Sequence, residues 1–215
     1  MFSCVSPEGI KENKVVNPDY DKAYEYIDAG KTDSSFFFFD KARQVFLDNK
    51  DSLGVAKCLV NMAITLKDQS DYFGAQETAL QAVSYMNINN AKHHIYLSTN
   101  YNNLGVASSS LGQYKSALSF YGLALKFSND SSNTFSYQNN IVLCYQNLCQ
   151  YNKAIDIYNN LLEKTKDSPK RYARVLYNMA RAKWLQHSNY QVEGKLFSAA
   201  HITERQNNLR GLTAI

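Results

Sequence analysis

The sequence predicts an all-α chain ordered as an α-solenoid of about five helix pairs, and three observations carry that reading. Proline is scarce, with 3 residues in 215, and glycine modest, with 9, so little interrupts a helical chain. A set of aromatic and alanine positions at helical spacing returns along the chain at intervals of 33 to 42 residues. Upstream of each copy lies a second helical pattern with a small residue near its middle. Hydrophobic residues make up 45% and charged residues 20%, a globular composition in a chain long enough to bury a core.

Taken in order, the first unit is the weakest. Its second-helix frame reads Phe39, Ala42, Phe46, Asn49. It contains the run Phe36–Phe39, and successive helical residues lie about 100° apart, so four phenylalanines coat nearly every side. Phe39 and Phe46 are expected in the core. One or two of the others are expected to cover the open end of the stack or meet Ile10–Val16; the alternative is a partner-binding patch. The second unit has Leu59, Met62, Ala63 and Leu66 on its first helix, and Tyr72, Ala75, Ala79 and Ala82 on its second. Extra residues follow. They are predicted to lengthen the helices around Met86–Tyr96 by about a turn each, with Asn87, Asn89 and Asn90 making the turn.

The third unit is the clearest: Tyr101, Leu104, Gly105 and Ser108, then Tyr114, Ala117, Tyr121 and Ala124. The fourth reads Ile141, Val142 and Tyr145, then Tyr151, Ala154, Tyr158 and Leu161. The fifth reads Val175 (one place off), Met179 and Ala180, then Tyr190, Glu193, Phe197 and Ala200. Spacings of three and four put each set on one helix face. Small residues at Ala63, Gly105 and Ala180 let the second helix come close, and Ala75, Ala117 and Ala154 return the fit. The anchors Ala42, Ala75, Ala117, Ala154 and Glu193 stand 33, 42, 37 and 39 residues apart.

This pattern resembles the tetratricopeptide repeat (TPR), whose period is about 34 residues. The resemblance covers residues from about 19 to the C-terminus, so 19–215 is read as the solenoid and 1–18 as an N-terminal segment. It implies a right-handed superhelix whose first helices line the concave face.

An asparagine then recurs at one register. It stands in VNMA, YNNLG, QNNIV and YNMA, as Asn61, Asn103, Asn140 and Asn178. Stacking the units lines these amides into a ladder along the groove. An amide offers a donor and an acceptor, which suits a peptide backbone without demanding a side chain. The TPR resemblance implies that this position holds ligand backbones. Asn is also the common residue there in such repeats, and it can bond within its own repeat. Neighbouring groove positions in the third and fourth units are Thr99, Asn102, Val106 and Ser109, then Ser136, Asn139, Leu143 and Gln146. In the fifth they are Arg174, Tyr177, Arg181 and Trp184. From Glu163 to Lys183 seven Lys or Arg face two acids. An Arg pair beside Tyr and Trp can hold a carboxylate with aromatic packing alongside. The alternative is a solvated basic face with Trp184 buried between units.

Other chemistry finds little support. The net charge of +4 is too mild to argue for nucleic acid, and none is expected to bind. The cysteines Cys4, Cys58, Cys144 and Cys149 form no CxxC, so neither a zinc site nor a disulfide framework is expected, and Cys58 and Cys144 read as small buried apolar residues. His93 and His94 are adjacent and diverge on a helix; His187 and His201 stand alone. No HExxH, phosphate loop or GxSxG elbow occurs, and no cofactor is expected. The chain is therefore read as a non-enzymatic module for a protein or peptide ligand. The alternative is an adaptor that joins proteins, or itself, through the solenoid ends.

The ends add context. In MFSCVSPEG, Cys4 follows a small residue and precedes a polar stretch, like the tail of a lipoprotein signal without its hydrophobic region; Cys4 is equally read as an ordinary N-terminal residue. Leu209–Ile215 looks like the opening of another first helix, so a longer protein is expected. The stretches NPDYDKAYEYIDAGK, DSLGVAKCLVNMA, YNNLGVA and ALKFSNDS are similar to Bacteroidota regulators in which extracytoplasmic TPRs precede a transmembrane helix and a cytoplasmic output. That resemblance implies a sensory role and a periplasmic location. Membrane attachment would come through parts outside this chain or through Cys4.

Overall fold

Short polar residues cap four of the described α-helices. Asn17 accepts a hydrogen bond from the Tyr20 amide and heads α1, Pro18–Asp28. Asp51 caps α3, Ser52–Asp68, through the Gly54 amide, and Asp71 caps α4, Tyr72–Ser84, through that of Gly74. Asp130 caps α7, Ser131–Asn147, through two amides, those of Ser132 and Asn133. The remaining helices are α2, Thr32–Asp48; α5, His94–Ser110; α6, Tyr114–Phe127; α8, Tyr151–Lys164; and α9, Pro169–Gln186. The computed structural model describes residues 16–187, and no strand occurs among them. Cys4, the second helix of the fifth unit (Tyr190, Glu193, Phe197, Ala200) and Leu209–Ile215 lie outside the described residues.

Five helix-to-helix turns share one geometry. In each, a residue with φ between 56° and 74° ends the earlier helix: Gly30, Lys50, Ser70, Gly112 and Cys149. The next residue's amide reaches back to a carbonyl of the helix's last turn, as Lys31 N to Tyr26 O at 2.8 Å and Gln113 N to Ser108 O at 2.8 Å. This is the Schellman arrangement, which satisfies carbonyls the helix leaves open. A new helix begins two residues after each left-handed residue.

These turns set the repeat frame and correct the expected one. Counting five residues on from Gly30, Ser70, Gly112 and Cys149 gives Ser35, Ala75, Ala117 and Ala154. All four are buried. Ser35, not Ala42, is therefore the first anchor, 40 residues before Ala75. Ala42 is buried too, but it is the counterpart of Ala82 and Ala124, two turns further on. The misreading arose because Phe39, Ala42 and Phe46 repeat the aromatic-alanine-aromatic order at the same spacing, while the true anchor is a serine.

The extra residues after the second unit do not lengthen helices. α4 stops at Ser84, and residues 85–90 make a loop closed by a 3₁₀ turn, Ala91–His93. The asparagines explain the break. Asn87 Oδ1 accepts from the Asn89 amide and Asn90 Oδ1 from the Lys92 amide, so these side chains compete with helical bonding. Both histidines fasten the same loop, His93 Nδ1 accepting from Asn87 N and His94 Nε2 donating to Ile88 O.

The core runs along the stack. Its largest cluster joins Phe39, Phe46, Leu59, Met62, Met86, Leu97 and Phe127; another joins Val142, Tyr158, Leu161, Val175 and Met179. Phe39 and Phe46 are buried as expected; of the rest of the run, Phe36 and Phe38 are half-buried, Phe38 stacked on Tyr26 of α1, and Phe37 is 55% exposed. Cys58 and Cys144 are buried within the packing. Gly105 lets α5 meet α6: a Cβ there would stand 2.5 Å from Tyr121 Cε1. The equivalent pair in the second unit, Ala63 with Ala79, closes the same gap with two small groups.

Successive first helices touch, α3 with α5 and α5 with α7, whereas second helices make no comparable contact with one another among the described residues. The stack therefore curves toward the first helices, and their outer stripe lines the inner groove.

Candidate functional site

Counting back from the turn residues places each groove side chain. Nine residues before Ser70, Gly112 and Cys149 stand Asn61, Asn103 and Asn140, with Asn178 equivalent on α9. Ten residues before stand Val60, Asn102 and Asn139; the same count from Gly30 gives Tyr20. Six before stand Tyr24, Ile64, Val106 and Leu143, with Arg181 on α9.

Three of the four asparagines are tied to the preceding first helix. Asn140 Nδ2 donates to Asn102 Oδ1 at 3.1 Å, and Asn178 Nδ2 donates to Asn139 Oδ1 at 3.1 Å. Asn61 Nδ2 follows the same rule with phenols, reaching Tyr24 Oη at 3.0 Å and Tyr20 Oη at 3.5 Å, while also donating to Lys57 O at 2.9 Å. Each of these three asparagines thus hands its donor to the preceding first helix. Asn103 breaks the rule. Its counterpart partner would be Val60, which has nothing to accept with. Asn103 is 4% exposed, and its Nδ2 is buried without a hydrogen-bond partner. In this arrangement its donor is closed off from solvent.

The tied amides keep half of their capacity. Among the described residues, the Nδ2 of Asn102 and Asn139 donate to no protein group, and the Oδ1 of Asn140 and Asn178 accept from none. All four side chains are half-buried on the inner face. Each of these two junctions therefore offers one free donor and one free acceptor, the complement of a peptide unit.

A row of apolar side chains runs beside the amides. Ile64 and Val106 are half-buried and rest on the core, and Leu143 is half-buried on α7. Tyr24, at the same register on α1, is more open. The sequence contained Val106 and Leu143 among positions read as neutral and polar; Ile64 and Tyr24 were missed. Counting six residues back from each turn finds the whole row.

On α9, Arg174, Tyr177, Arg181 and Trp184 follow at intervals of three, four and three, and all four are exposed. They form one stripe, about 15 Å long at 1.5 Å per residue. Trp184 is 49% exposed and Tyr177 51%, so the tryptophan is not buried between units as the alternative had it. Neither arginine has an acidic partner among the described residues. Arg181 acts on the buried Tyr158, partly offsetting the upward push of burial on its phenol. No group of three His, Cys, Asp or Glu among the described residues could hold a metal ion.

The chain matches no protein-family model and no curated protein. Many solved structures share its fold. A kinesin light chain protein of Podosopora anserina with nearly identical TPR-like repeats is 13% identical, with TM-score 0.73, over 88% of this chain and 95% of that one. MamA is 16% identical, with TM-score 0.62, over 86% and 96%. YrrB, described as a TPR protein with an unusual peptide-binding site, is 18% identical, with TM-score 0.61, over 95% of each chain. Identity this low carries the fold alone, and that fold is the TPR-type α-solenoid.

Proposed function

We propose that the chain is a non-catalytic interaction module that takes an extended protein or peptide segment along its inner groove. The observation that carries this reading is the pairing of amides. Asn102–Asn140 and Asn139–Asn178 hold each other in place and leave a donor and an acceptor outward at each junction. A fixed amide loses little freedom on binding, so it recognises a backbone at low entropic cost. The α9 stripe gives the groove a cationic, aromatic end for an acidic group, with Arg174 and Arg181 as the charges and Tyr177 and Trp184 as the packing surface. The YrrB description supports a peptide ligand for a stack of this kind.

The test begins by selecting binders from a random peptide library on the full chain. Their affinity is then compared with that for Asn102→Ala/Asn139→Ala. Loss of two hydrogen bonds predicts a weakening of about tenfold or more. Unchanged affinity in a folded double variant would overturn the reading.

The wider role we propose is sensory, within a larger regulator attached to the membrane in the periplasm. It rests on the sequence resemblance alone. Among the described residues no helix is long and apolar enough to cross a membrane. Fractionation and intact mass of the native polypeptide test this: a soluble product near 24.4 kDa removes the regulator. An adaptor role is the second reading, favoured by Phe37 and by Phe73 and Leu80 of α4, which stand exposed. Sedimentation showing concentration-dependent assembly that Phe37→Ser/Phe73→Ser abolishes would favour it.

A further inference from the structure

The groove's rows fix the ligand's shape more tightly than its presence. α3 touches α5 and α5 touches α7, and side-chain bonds join α5 to α7 and α7 to α9; helices packed side by side in this way generally stand about 8–10 Å apart. Ile64, Val106 and Leu143 occupy one register on three successive first helices, with Arg181 at that register on the fourth. A ligand that touches every member of this row must present the same face at that interval. A β-strand repeats a face every two residues, about 6.7 Å, and skips to about 13 Å after four, so it falls out of step. A polyproline II helix repeats a face every three residues, about 9.3 Å, and stays in step. It also leaves its own N–H and C=O groups unpaired, open to the free Nδ2 and Oδ1 groups alongside.

We propose that the groove takes a segment in polyproline II conformation with an apolar residue at every third position, over Ile64, Val106 and Leu143, and an acidic residue three positions further on, over Arg181. The inference rests on the groove reading above and specifies its ligand. Charge complementarity fixes the acidic end. Arg174 and Arg181 carry two guanidiniums with no acidic partner among the described residues at the α9 end, while Thr99 and Ser136, the counterparts of Arg174 on α5 and α7, are neutral. Lys57, their counterpart on α3, lies over the Tyr96 ring, 4.9 Å from its centroid. Three apolar contacts and one ion pair define a spacing of residues i, i+3, i+6 and i+9.

The test uses labelled synthetic peptides and the full chain, read by fluorescence anisotropy. One set has Leu at i, i+3 and i+6 and Glu at i+9, with proline and serine between, made in both chain directions. The control set has the same composition with Leu at i, i+2 and i+4. The better threefold peptide is expected to bind about tenfold or more tighter than any control. Arg181→Glu, an exposed site whose change leaves the core intact, is expected to reverse the preference between Glu-ended and Lys-ended threefold peptides. Leu143→Lys, checked for an unchanged helical spectrum, is expected to remove the threefold advantage. Equal or tighter binding of the twofold peptides overturns the spacing and leaves the groove reading standing. Failure of every peptide set, with library binders absent as well, removes both. Self-association of the chain that is lost in Leu143→Lys and Arg181→Glu would make a second copy the occupant, and the peptide proposal would fall.

Discussion

Asn103 differs from its three counterparts by one residue on another helix. Val60 stands where Asn102 and Asn139 accept a bond in later units, so the Asn103 donor is stranded in the packing. A buried donor left unmade costs about 1–3 kcal/mol, whereas replacing it by an apolar group of similar shape removes that cost. Asn103→Leu is therefore expected to raise stability by about 1 kcal/mol or more, while Asn140→Leu, which cuts a made bond, is expected to lower it by about 1 kcal/mol. Urea unfolding of both variants checks the pair. The same sign for both would mean that Asn103 finds a partner after all. The asparagine register was legible in the sequence, because four amides precede an apolar residue in repeated context. The bonding was not. Each partner lies 38 or 39 residues away and depends on how the units stack.

Helices and turns were legible to different degrees. Spacings of three and four found the paired helices from α3 to α8, and the alanine anchors there are buried as expected. The first unit was misplaced by two turns because Phe39, Ala42 and Phe46 imitate the frame seven residues too late. Gly30 held the correct signal, since a glycine two residues before a helix marks the left-handed turn. Ser70 and Cys149 gave no such signal, because they occupy that conformation without being glycine. A side chain there costs about 1 kcal/mol or more relative to glycine. Ser70→Gly and Cys149→Gly are accordingly expected to raise stability by roughly 0.5–1 kcal/mol each, and additively, since they sit in separate turns. Thermal unfolding of the singles and the double measures this. A loss in both would show that the side chains contribute more than the turn strain costs.

Across the whole stack, burial governs the response to alkali. It raises the Cys58 thiol from its ordinary value near 9 to about 12, and it raises the phenols of Tyr20, Tyr121 and Tyr158 above their ordinary range. Groups with raised native pKa values favour the folded state while they remain neutral. Their contribution is complete below pH about 9 and is lost as pH climbs toward about 12. Urea midpoints are therefore expected to hold steady up to about pH 9 and then fall, with the buried phenols of Tyr20, Tyr121 and Tyr158 ionising only as the chain unfolds. A steady midpoint to pH 12 would contradict the burial of these groups.

The loop at 85–90 has one more consequence. Its bonds described above are local, made by Asn87, Asn90, His93 and His94 to residues within a few positions, and α5 restarts after its own 3₁₀ turn. Ile88 stands exposed in it. A dye or an affinity handle attached there would report on the chain without touching the stacking or the groove, which makes this detour the natural place to tether the protein for the binding measurements proposed above.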